Sequence, residues 1–281
     1  MEEENRAFPF LKLNPRDRKP RSRGVTEIRG PYYDPVGPRY LRDVLETMGA
    51  WVDIFKFSGG SFALMPREAV RELLDVCHEH DVMVSTGGFI ETVLLRGEGA
   101  VDRYLEECRE LGFDIVEVSS GFLSIPTRDL ARLTEKVKEA GMKPKPEINV
   151  QFGAGGASTV EALEREGVQD PSAAIREAKR HLEAGAYMIM VESEGITEQV
   201  REWRTEVIAR IAEEVGLEKV MFEAADPDVF TWYVKNFGPE VNLFVDHSQI
   251  VELECLRSGL WGRMDTWGRV VTYREDEDGR G

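Results

Sequence analysis

Cysteine and histidine are scarce in this chain: three of the first and four of the second in 281 residues. Cys77, Cys108 and Cys255 are odd in number, far apart and never in CxxC spacing. A disulfide framework and a cysteine–histidine metal cluster are therefore excluded, and each thiol is expected to sit buried in a helix. There is no HExxH, Ser-His-Asp or Walker pattern, which removes zinc hydrolases and P-loop nucleotidases. Positive charge is also short, with 36 Lys and Arg against 52 Asp and Glu and a formal net charge of −16. That balance argues against nucleic acid and against an anionic membrane surface, both of which recruit Lys and Arg. No apolar run approaches the roughly 20 residues of a membrane span. The opening MEEENRAFPF lacks a signal-type apolar stretch, so a cytoplasmic location is expected. A small anionic substrate stays compatible, because local site charge can oppose net charge.

What is present is a repeating alternation of strand and helix patterns. The β-rich runs are 24–30, 52–60, 82–88, 115–121, 145–152, 188–195, 220–225 and 241–248. A helical pattern follows each, often opened by Pro or Asp-Pro and closed by Gly. Eight such units predict a single (β/α)8 TIM barrel, a fold of roughly 250 residues. A doubly wound open sheet is the alternative, but no GxGxxG follows the first strand. The barrel is expected over 24–264. Before it, residues 1–23 form an arm whose RDRKPRSR stretch (16–23) is either a solvated strap or an anion- or subunit-binding segment. After it, 265–281 form an acidic tail. The glycine-rich 152–171 reads as a long irregular loop at the barrel mouth, either a mobile lid or a plain insertion.

Side chains alternate along a strand, so the helix-facing set should be apolar and the other set should face the barrel interior. Ile28, Phe55, Phe57, Val116, Val118, Ile148, Val150, Phe152, Ile189, Val191, Val220, Phe222, Val241, Leu243 and Val245 take the outer positions. Glu27, Arg29, Lys56, Glu117, Ser119, Glu147, Asn149, Gln151, Glu192, Glu223, Asn242, Phe244, Asp246 and Ser248 then point inward. Six carboxylates (Glu27, Glu117, Glu147, Glu192, Glu223 and Asp246) face two cations, Arg29 and Lys56. Buried charge is costly unless paired or metal-bound. The surplus must be protonated, reach solvent at the mouth, or surround a divalent cation, for which oxygen-ligated Mg2+ fits. Glu27 and Glu147 can also serve as structural partners of the two cations. In this fold the site lies at the strands' C-terminal ends. There FSGGS (57–61) and VSTGG (84–88) offer Ser58, Ser85, Thr86, Gly87 and Gly88 as an anion-binding rim, or as ordinary turn chemistry. His247 follows Asp246 and is expected to turn away from the axis. His78 and His80 end a helix, where a cation suits the dipole, and His181 is mid-helix.

The segments VDIFKFSGGS, STGG, EECRELGFDIVEVSSG, VMFEAA and VNLFVDHSQIVELECLRSGLWG resemble the phosphosulfolactate synthase family over roughly residues 24–262. GVTEIRGPYY, HEHDVMVSTG and VDHSQIVELECLR resemble more closely a plant, heat-stress-associated branch of it. The resemblance implies a magnesium-dependent barrel enzyme that adds sulfite to phosphoenolpyruvate, forming a C–S bond, with a general acid delivering a proton to carbon. The synthases carry that acid as a lysine just after strand five, where Gln151 stands here. After strand six they show Gly-Arg-Glu, where this chain reads ESEG (192–195), and Arg29 stands for a lysine in strand one. Catalytic candidates are thus Lys56, Glu147, Gln151 and Glu223. Substrate-binding candidates are Arg29, Ser58, Ser85, Thr86, Gly87, Gly88 and Ser119. Glu117, Glu147, Glu192 and Asp246 are the candidate ligands of Mg2+. The expected function is a synthase-like lyase acting on a small anionic acid. The alternative is a non-catalytic stress-tolerance or proteostasis barrel. A homo-oligomer is expected, with no nucleic-acid or membrane partner.

Overall fold

The computed structural model describes residues 6–155, 158–167 and 170–273. Eight parallel strands close into one barrel in sequence order, as the alternation implied. They are β1 (Thr26–Arg29), β2 (Ile54–Lys56), β3 (Met83–Ser85), β4 (Ile115–Val118), β5 (Lys143–Ile148), β6 (Ile189–Val191), β7 (Val220–Glu223) and β8 (Leu243–Asp246). β8 returns to β1, with Arg29 beside Asp246 on one side and beside Lys56 on the other. Around the barrel lie α1 (Pro38–Met48), α2 (Arg67–Glu79), α3 (Ile90–Leu94), α4 (Ala100–Leu111), α5 (Thr127–Glu139), α6 (Val160–Glu166), α7 (Ser172–Glu183), α8 (Thr205–Val215), α9 (Pro227–Phe237) and α10 (Ile250–Arg257).

Local chemistry sets these boundaries. Pro38 and Pro227 open α1 and α9, where the missing N–H costs nothing. The Asp226 carboxylate caps α9 by accepting from the Asp228 amide. Gly112 ends α4 at φ 99°, a left-handed conformation that favours glycine. The strands are shorter than their sequence runs, because pairing stops where the mouth loops diverge. β5 starts earlier, at Lys143, and admits Pro144 and Pro146. Within 152–171, expected as wholly irregular, 160–166 form α6, capped by the Thr159 hydroxyl.

Two apolar layers follow from the alternation. Between strands and helices pack Ile28, Phe55, Val116, Ile148, Val191, Phe222 and Val245. Inside the barrel, Val25, Ile54, Ile115, Met188, Met190, Met221 and Phe244 form a smaller plug. Phe152 departs from its expected outward packing: it lies beyond the end of β5 and is exposed.

Residues 6–24 carry no helix or strand and latch onto the end of the barrel opposite the mouth. Arg16 pairs with Glu254 of α10, and Arg21 pairs with Asp53 at 2.8 Å. Lys19 donates to the His80 carbonyl at 3.0 Å, and burial pulls its ammonium down to about 8. Residues 1–5 of the arm and 274–281 of the tail, including its acidic run, lie outside the described residues. Among the described residues no helix is long and apolar enough to cross a membrane.

Candidate active site

The mouth at the strands' C-terminal ends holds a cavity of about 270 Å3. Its floor is an alternating ladder of charge. Lys145, wholly buried, contacts Glu27 and lies 3.1 Å from Glu117 Oε2. Lys56 Nζ lies 2.9 Å from Glu117 Oε1 and 3.6 Å from Glu147 Oε2. Alongside, Arg29 Nη2 donates to Glu223 Oε1 at 2.5 Å. The Phe244 ring supports both cations, 5.0 Å from the Arg29 guanidinium and 4.6 Å from Lys56 Nζ.

The field of this ladder separates its acids. Burial would raise Glu117, yet Lys56 and Lys145 hold it below the usual carboxylate range. Burial would likewise lower Lys56, but Glu117, Glu147, Glu223 and Glu27 outweigh it and hold the ammonium above the usual lysine range. Glu147 is pushed up to about 8, first by burial and then by Glu117. Glu192 is raised well above its ordinary value by burial, then by Glu223 and Glu147. Crowding by like charge is therefore relieved on Glu147 and Glu192, the two acids of the cavity that hold a proton most readily.

Glu147, Glu192 and Glu223 each present an oxygen within 4.8 Å of the others'. Three hard oxygen donors, two of them holding protons they would yield to a cation, fit a divalent ion such as Mg2+. Glu192 is fixed by the Glu194 amide, which donates to Oε1 at 2.9 Å.

The remaining candidates divide. Ser58, Gly88 and Ser119 line the cavity, and the buried Ser58 hydroxyl has no hydrogen-bond partner among the described residues. Ser85, Thr86 and Gly87 do not line it; they build the turn behind it. Ser85 Oγ accepts from the Gly87 amide at 3.4 Å, and Thr86 Oγ1 accepts from the Glu117 amide at 3.3 Å. Gly87 sits at φ 60°, where an added Cβ would lie 2.3 Å from the Phe57 carbonyl oxygen.

Gln151 and Asp246 also lie outside the cavity. Gln151 Nε2 donates to the Leu163 carbonyl at 2.8 Å, tying α6 to the mouth. β5 has already ended at Ile148, so alternation no longer governs where Gln151 points. Asp246 joins a capping box with Gln249 and accepts from the Ser248 amide at 3.0 Å. It faces a neighbouring recess shared with Asp226 and Asp228. His247 turns outward as expected, its Nδ1 2.9 Å from the Arg29 carbonyl oxygen.

Sequence reasoning missed Lys145, although it shares the parity of Glu147 and the same alternation could have found it. Tyr32, Tyr33 and Phe122 also line the cavity. They stand on loops, where no periodicity marks them.

A closed (β/α)8 barrel with a charged, carboxylate-dominated cavity at its strand ends has the layout of a barrel enzyme. Residues 14–263 match the model of the (2R)-phospho-3-sulfolactate synthase (ComA) family, and the chain belongs to that family. It is 41% identical to the HEAT-STRESS-ASSOCIATED 32 protein of Arabidopsis thaliana, covering 90% of this chain and 92% of that one. It is 29% identical to phosphosulfolactate synthase of Methanothermobacter thermautotrophicus, covering 94% and 98%. The crystal structure of 2,3-dimethylmalate lyase, a PEP mutase/isocitrate lyase superfamily member, superposes with a TM-score of 0.51 at 11% identity, covering 81% of this chain and 77% of that one. That likeness shows a shared barrel fold.

Proposed function

We propose that this chain is a phosphosulfolactate-synthase-like lyase that adds sulfite, or a related nucleophile, to phosphoenolpyruvate or a similar small anionic acid, with Mg2+. The observation that carries this reading is the Glu147–Glu192–Glu223 trio set beside Lys56 in one cavity. When bound to the trio, Mg2+ supplies positive charge that stabilises enolate-like charge on the substrate carboxylate and offsets the carboxylate field around Lys56. The chain's own residues do the rest. Lys56, Arg29 and the unpartnered Ser58 hydroxyl hold the anionic groups, with Gly88 and Ser119 shaping the wall.

In the addition, a sulfur lone pair bonds the methylene carbon, and the π pair moves to the carbon that bears the carboxylate. A proton from Lys56 then completes that carbon. Lys56 takes this role because Gln151, an amide turned toward Leu163, has no proton to give. Glu117, kept ionised, holds the ammonium in place.

The 41% identity to a heat-stress protein favours a second reading, a barrel that serves stress tolerance without chemistry. The two separate in one assay. The protein is incubated with sulfite, phosphoenolpyruvate and Mg2+, and product is followed by mass spectrometry. The lyase reading expects phosphosulfolactate, lost in Lys56→Met. No product from folded, concentrated protein overturns sulfite–phosphoenolpyruvate chemistry.

A further inference from the structure

Outside the catalytic cavity, a second recess opens between the turn after β2 and helices α2, α3 and α4. It measures about 630 Å3, larger than the catalytic cavity and within the roughly 300–1,000 Å3 typical of small-molecule sites. Its floor is preformed. Phe62 packs edge-on against Phe89 at 5.0 Å between ring centroids and tilted against Phe113 at 5.3 Å. Met65, Val93 and Leu111 complete an apolar bed. Around it stand three arginines and one carboxylate, Glu107, in a chain whose net charge is −16. Arg67 is engaged by Glu107 and Glu110. Arg96 and Arg103 have no carboxylate partner among the described residues.

An apolar bed beneath two uncompensated guanidinium groups matches a ligand with a greasy body and one acidic head. We propose that this recess binds a small amphipathic monoanion, an alkyl or aryl carboxylate. The body would rest on Phe62, Phe89 and Phe113, gaining from apolar burial. The carboxylate would take Arg96 and Arg103, whose planar forks suit it. Phe89 and Thr92 line both this recess and the catalytic cavity, so an occupant here braces a wall of the active site. The site stands apart from the lyase reading, since none of its arginines takes part in that chemistry.

The test is calorimetric titration of the whole chain with octanoate and, separately, with 1-octanol. Octanoate should bind saturably, and 1-octanol about tenfold or more weaker, one decade of affinity for the lost charge contact. The exposed double variant Arg96→Glu/Arg103→Glu should weaken octanoate by a similar factor. Ala63→Trp, which fills the recess from an exposed position, should abolish binding while leaving the melting midpoint in place. The absence of saturation by octanoate overturns the proposal. So does equal binding of the acid and the alcohol, or unchanged octanoate binding in either variant.

Discussion

Replacing Lys145 with Met keeps side-chain volume and removes one positive charge from the centre of the barrel. Lys145 and Glu27 are both wholly buried, and Lys145 also lies 3.1 Å from Glu117. After the change Glu27 has lost the cation it contacts, and Glu117 keeps only Lys56. Burial already pushes the Glu27 carboxyl up against the pull of Lys145, so Glu27 must then take a proton or sit charged in a low-dielectric interior. Breaking a buried pair by removing one partner costs about 3–5 kcal/mol. At about 2–4 °C per kcal/mol for a chain of this size, the melting midpoint should fall by roughly 6–20 °C. Glu27→Gln in the same chain removes the stranded charge, and the double variant should recover about 1–3 kcal/mol of the loss. Thermal melts of the wild type, both single variants and the double at neutral pH read this directly. A Lys145→Met midpoint within a degree or two of wild type, or a double variant no more stable than the single, would refute the ladder as a set of coupled charges.

Three further outcomes follow from particular contacts. Mg2+ should stabilise the protein more at higher pH: a carboxyl must be ionised to ligate, and Glu147 keeps its proton up to about 8. The thermal shift on adding Mg2+ should grow as pH rises toward that value, and a shift that shrinks with rising pH contradicts the assignment. Arg21→Ala leaves Asp53 at the barrel floor without its ion pair and should cost about 1–3 kcal/mol, the range for stranding a buried polar group; an unchanged denaturation midpoint would make the arm a bystander. Gly195→Ala meets two obstacles, φ 79° and a Cβ position 2.5 Å from Gln151 Oε1. It should lower the melting midpoint and hasten proteolysis around α6, whereas wild-type behaviour would contradict a tight Gly195–Gln151 approach.

Period-two alternation made the barrel interior legible, because a closed sheet with helices outside leaves each strand residue only two directions. Glu117, Glu147, Glu192 and Glu223 are legible that way, as is the inward position of Phe244; its place beneath Lys56 is seen only in the structure. The rule held one residue past β4 and β6, where Ser119 and Glu192 still face the cavity, and failed at the last residue of β8 and three residues past β5. Gln151 lies beyond β5 and turns to Leu163; Asp246 is the last residue of β8 and caps the following turn. Ser85 and Thr86 have the residue types of an anion rim but spend their hydroxyls on the turn itself. Lys145 was legible yet hidden between two prolines, which usually argue against strand. With Lys145 added and Asp246 removed, five interior carboxylates face three cations. The surplus of two falls on Glu147 and Glu192, both of which are raised.

That surplus is what a divalent cation would neutralise, and calorimetric titration with Mg2+ tests it most directly. Wild-type protein should bind a single ion per chain, and Glu192→Gln, which removes one of the three donors, should lose that binding while remaining folded. No saturable binding by the wild type, or equal binding by the variant, would contradict a metal centre built from Glu147, Glu192 and Glu223.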